Sequence, residues 1–169
     1  MRILPLRKKD VVRVRSNACE RYPRLCRYLG EGKEGFRLEG EDFEVIVLNS
    51  VPALFRYEDK DFLYPTLVLT KIAGINSIHY AVVDEGAVKH LLNGANVMAP
   101  GITEVSNFRK GDVVAVWNPS KKAPLVIGEA LMDSKEIMEV RRGKAIKNLH
   151  YAGDDIWELC LEYLRKVKK

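Results

Sequence analysis

The residues best suited to chemistry lie in one run, VDEGAVKHLLNGANVMAPGI, residues 83–102. Gly86, Lys89, His90 and Asn93 recur at helical spacing, on the side of a short helix opposite Val88, Leu91 and Leu92. Asp84 is placed to cap that helix, Glu85 stands in its first turn, and Gly94 suits the left-handed position that stops it after Asn93. A glycine inside a helix costs about 1 kcal/mol relative to alanine, so Gly86 asks for a reason. One reading is that its bare backbone leaves two first-turn N–H groups open to a phosphate or a sugar edge. The other is that a strand of the same domain packs closely over it. The sequence leaves both open.

A second segment, RRGKAIKNLHY, carries Arg141, Arg142, Lys144, Lys147 and His150. Its apolar residues do not alternate cleanly, so which charges share a face is undecided. The chain as a whole has a net charge of +5 and a pI near 9.1, which favours an anionic partner.

Other chemistries lack their residues. GEGKEG, with Gly30, Gly32 and Gly35, has dinucleotide-loop spacing, but a helix pattern precedes it and a strand pattern follows, so it reads as a connector. His79, His90 and His150 share no ligand spacing with one another or with a cysteine. Cys19, Cys26 and Cys160 are an odd set without a Cys-x-x-Cys pair. They read as reduced thiols in helices and imply a reducing compartment. The acidic runs at 39–42 and 58–61 read as solvated turns. No phosphate-loop, serine-elbow or cysteine–histidine signature occurs. The expectation is a non-catalytic protein without cofactor or metal.

The positioning elements can be read from periodicity. Val11, Val14, Ala18, Tyr22 and Leu25 give a helix over 7–29, kinked or split at Pro23. FRLEG, FEVIVLNS and ALFRY predict an antiparallel sheet. PTLVLTKIAG predicts a short helix with Pro65 near its start and Gly74 past its end, where the domain boundary is placed. The second half predicts short strands at SIHYAVVD, DVVAVWN, PLVIGEALM and KAIKNLHY, with a helix near DSKEIMEV, which suggests a small barrel. Pro100-Gly101 fits a type II turn, and Gly111 a positive φ. A capped amphipathic helix closes the chain, with Ile156, Cys160, Tyr163, Leu164 and Val167 on one face. The first residues are charged and no apolar run approaches the ~20 residues of a membrane helix, so the expected location is the cytoplasm.

The block at 83–102, with FRKGDVVAVWNP and PLVIGEALM after it, resembles a PUA domain, the RNA-binding fold of pseudouridine synthases and archaeosine transglycosylases. With YPTLVL before it and GKAIKNLHYAGDDIW after it, the chain resembles the malignant T-cell-amplified-sequence family, in its archaeal type. The second half carries the likeness by motif and the first half by layout. The resemblance implies an α+β chain: a small N-terminal α/β domain at 1–74, a PUA pseudobarrel at 75–153 and a C-terminal helix at 154–169. It implies RNA bound at Gly86, Lys89, His90, Asn93, Gly94, Ala95, Asn96, Val97, Ala99, Pro100 and Gly101, flanked by Lys144 and Lys147. It also implies a role in translation initiation or recycling, on tRNA or small-subunit rRNA, with a SUI1-domain protein as partner and with neither DNA nor membrane. The nearest alternative is an accessory module that delivers tRNA to a modifying enzyme. With an aromatic fraction of 8% and no stacking platform at this site, phosphate and 2′-hydroxyl contacts are expected to carry much of the binding.

Overall fold

The structure is a computed structural model that describes residues 1–168. Five strands form a first sheet in the order β1-β2-β3-β4-β5: Ile3–Pro5, Gly35–Glu39, Phe43–Leu48, Val51–Tyr57 and Tyr64–Pro65. All four pairings are antiparallel, as the strand pattern predicts. Helix α1, Lys8–Arg21, buries Val11, Val14 and Ala18 against this sheet. Pro23 does split the predicted helix. It opens a separate 3₁₀ helix, Pro23–Tyr28, because a proline cannot donate the bond that would continue α1.

That break overturns one expectation. Cys19 and Cys26 are joined in a disulfide with their Cα atoms 4.7 Å apart. The turn at Pro23 folds the 3₁₀ helix back beside the last turn of α1, which no cysteine-spacing rule anticipates. The reducing compartment inferred from three free thiols therefore has no support. Only Cys160 is free, and burial pushes its thiol up to about 12, so it is a packing residue rather than a nucleophile. Closing this short loop is expected to contribute about 2 kcal/mol. Urea denaturation of Cys19→Ser, or of the protein with reductant, should show a loss of that size.

Thr66 caps α2, Leu67–Ala73, by accepting from the Leu69 N–H, and Gly74 at φ 95° ends it. The second sheet runs β7-β11-β10-β9-β6-β8. Its strands are β6 Tyr80–Val83, β7 Val97–Met98, β8 Ile102–Val105, β9 Val113–Trp117, β10 Pro124–Ala130 and β11 Lys144–Tyr151. Among the described strands, only β6 and β9 pair in parallel. The edge strands β7 and β8 are separated in the chain by just Ala99–Gly101, a 3₁₀ turn. A link that short forces the sheet to curl until its edges meet, which makes the pseudobarrel. Helices α3, Glu85–Leu91, and α4, Ser134–Val140, lie on its rim. Ala81, Val83, Val114, Val116 and Phe108 fill the interior.

Strand β9 is buried on both faces. Val114 and Val116 point into the barrel, whereas Val113, Ala115 and Trp117 join the core of the first half. The C-terminal helix α5, Asp155–Val167, returns onto that same core through Ile156, Cys160 and Tyr163. Val167, expected on its apolar face, is exposed at 53% because it lies beyond the sheet. Among the described residues, no helix is long and apolar enough to cross a membrane.

His150 joins the two halves. Its ring is fully buried, so it is not part of a basic ligand face. Nε2 accepts the Leu67 N–H at the start of α2, at 3.2 Å. Nδ1 donates to the Asp154 carboxylate at 2.9 Å, and Asp154 in turn caps α5 through the Trp157 N–H. The ring edge packs on Phe55 of the first sheet.

Candidate nucleic-acid interface

Helix α3 forms where expected and is short. Asp84 caps it, accepting the Ala87 N–H at 3.0 Å, and Gly94 at φ 91° turns the chain beyond it. Its last helical residue is Leu91 rather than Asn93. Leu91 is core, but Leu92, assigned to the same face, is exposed. A Cβ built on Gly86 would meet only the Asp84 Oδ1, at 3.5 Å. No strand covers it, which removes the packing explanation. The Asp84 carboxylate already occupies the helix start and Glu85 adds a second negative charge there. A helix of seven residues so capped is a poor phosphate receptor.

The groups beside α3 able to face an anion are therefore side chains. A groove of about 510 Å³ runs along α3. Gly86 and His90 line it from the helix, Ala95 and Asn96 from the following loop, Pro100 and Gly101 from the 3₁₀ turn, and Lys144 from β11. Ala87, Leu91 and Met98 make the rest of its wall largely apolar. Gly101 does not form the expected type II turn. It lies in the 3₁₀ turn, and a Cβ there would stand 3.3 Å from the Ala87 Cβ. Its role is the close approach of this turn to α3.

Other residues chosen from sequence fall outside the groove. Val97 and Ala99 are barrel core, 1% and 0% exposed, so their side chains cannot reach a ligand. Gly94 packs 3.3 Å from the Tyr151 ring, measured from an added Cβ, and serves the loop. Lys89 and Asn93 are exposed but do not line the groove. Lys147 sits opposite Glu129 on β10 and is likewise outside it.

Three further residues build the groove, and for none of them did the sequence give this role. Asn148 donates to the Leu91 and Ala95 carbonyls at 3.2 and 2.9 Å, and its N–H reaches Asn96 Oδ1 at 2.9 Å. It pins the loop after α3 to β11. Arg141, placed among candidate ligands by charge, instead donates to the Ile102 and Pro100 carbonyls at 2.7 and 3.3 Å. It holds the 3₁₀ turn from a left-handed backbone at φ 59°. Met98, 46% exposed at the groove edge, is an apolar surface open to a ligand.

The geometry gives Gly86 a testable character. Its φ is ordinary and space surrounds it, so Gly86→Ala is expected to raise stability by up to about 1 kcal/mol. Gly86→Leu is expected to keep the fold and fill the groove mouth. Thermal melting and a ligand titration of both variants check this.

Comparison with known proteins agrees with this architecture. A PUA domain profile matches residues 79–152. An uncharacterised protein of Methanocaldococcus jannaschii is 47% identical over 118 residues, 69% of this chain and 71% of its own. Malignant T-cell-amplified sequence 1-B of Xenopus laevis is 34% identical over 124 residues, 70% of this chain and 67% of its own. Translation machinery-associated protein 20 of Schizosaccharomyces pombe is 41% identical over 85 residues, 47% of each chain. A crystal structure of a hypothetical protein from Pyrococcus horikoshii OT3 superposes with a TM-score of 0.81 at 36% identity, covering 94% of this chain and 99% of that one. With its curled six-stranded sheet, its short helix at the rim and these relatives, the chain belongs to the PUA-domain proteins of the malignant T-cell-amplified-sequence family.

Proposed function

We propose that this protein is a non-catalytic RNA-binding factor of the translation machinery that contacts tRNA or small-subunit rRNA through the α3 groove. One observation carries the reading: residues chosen from two separate sequence segments, 86–101 and 144, line a single groove. Its apolar wall suits an unstacked base or ribose, and the Lys144 ammonium and His90 imidazole suit the neighbouring phosphate. The name of the fission-yeast relative supports the link to translation. The division of the chain at Gly74, with the segment after 153 returning to the first unit, belongs to the same reading, as do a cytoplasmic location and a SUI1-domain partner.

Co-sedimentation with purified ribosomal subunits tests it. The expected result is association with the small subunit that weakens as salt rises, because phosphate contacts release counterions. Recovery with an RNA-modifying enzyme and without ribosomes would instead support an accessory role in modification.

A further inference from the structure

A long stretch of positive charge lies outside the barrel. Residues 7–28 carry eight lysines and arginines against two acidic residues, a net +6 that exceeds the +5 of the whole chain. This helical corner borders a cleft of about 540 Å³ at the seam between the halves. Arg21, Arg24 and Phe62 line it from the first half, and Asn76, His79 and Asn107 from the second. Through Arg21 and Phe62 it continues into a furrow along α1 that reaches Arg13.

The two central arginines are prepared for an anionic, planar ligand. Arg13 is engaged by Asp10, and Arg56 by Glu44 and Asp61. Among the described residues, Arg21 and Arg24 are in no ion pair. The Arg21 guanidinium carbon lies 4.0 Å from the Phe62 ring centroid, a cation–π contact that restrains the side chain. Arg21 is exposed, so its outer face is a ready stacking surface for a base. Arg24 donates to the Asn76 carbonyl at 2.9 Å, so its charge is fixed across the seam. Exposed Asn76 and Asn107 amides stand at the cleft mouth, able to bond a base edge.

We propose that this seam is a second RNA site, distinct from the α3 groove, that takes a single-stranded segment with a base stacked on the Arg21–Phe62 pair and phosphate held by Arg21 and Arg24. The arrangement favours RNA over an acidic protein because the planar Arg21 guanidinium, seated over a ring and beside amides, offers a surface to a π-face, which a carboxylate chain lacks. It goes beyond the groove reading and does not need it to be right.

Fluorescence anisotropy with a short labelled oligouridylate at low salt tests the proposal. Arg21→Ala with Arg24→Ala should weaken binding by about tenfold. The loss should appear in the wild-type background and in the Lys144→Glu background. Arg21→Lys, which keeps charge and loses the planar guanidinium, should give an intermediate loss. Melting curves confirm that each variant is folded. Unchanged RNA affinity in the folded double variant overturns the second site and leaves the groove untouched. Loss in the double variant with no loss in Lys144→Glu overturns the groove and supports the seam. Loss of polyglutamate binding with RNA affinity intact would assign the seam to an acidic protein, against the proposal.

Discussion

Replacing His150 with alanine is expected to lower the free energy of unfolding by about 3 kcal/mol. The ring is buried at the meeting point of β11, α2 and α5, and both nitrogens are used. Truncation leaves the Leu67 N–H without an acceptor in a dry site and frees the Asp154 carboxylate that caps α5. It also opens a void against Phe55. His150→Gln can satisfy one partner but cannot span both, so it should recover part of the loss. Chemical denaturation checks this, and a loss under about 0.5 kcal/mol, typical of a surface site, would contradict it.

The second large effect is on binding. Lys144→Glu combined with His90→Glu should weaken single-stranded RNA by more than tenfold, about 1.4 kcal/mol or above. It places two carboxylates on a groove that already has Asp84 at one end. Lys147→Glu should change affinity little, since Lys147 stands beside Glu129 and outside the groove. The milder Lys144→Gln should reduce the slope of log affinity against log salt by about 0.7, the value for one phosphate contact on a single strand. Titrations across a salt series separate these outcomes from a general loss of fold.

The elements were readable where periodicity or capping had a physical cause. Pro23, Gly74 and Asp84 each act at the position their chemistry demands, whereas Thr66, not Pro65, starts its helix. The barrel was readable from its short strands, although its closure depends on β7 and β8 pairing at opposite edges, which only topology reveals. The groove was half readable. Local residues such as Gly86, His90 and Gly101 stood in one run, and Lys144 stood out by charge. Charge misled for Arg141, which is spent on two carbonyls, and for His150, which is buried. Asn148 and Met98 gave no signal, since their roles come from long-range contacts. The Cys19–Cys26 pair was missed because its closeness depends on the turn at Pro23. The Gly86 argument changed its basis. Of the two readings the sequence left open, the structure favours the uncovered one, but Asp84 holds the helix start, so under the proposed function side chains rather than amides meet the phosphate.

The most direct test of the groove is photocrosslinking with a thiouridine-substituted RNA, followed by mass spectrometry of the attached peptides. Adducts on the segment from His90 to Gly101, with Met98 prominent, and on the peptide bearing Lys144 are the expected result. Adducts confined to other surfaces, with none on those two segments, would contradict the assignment.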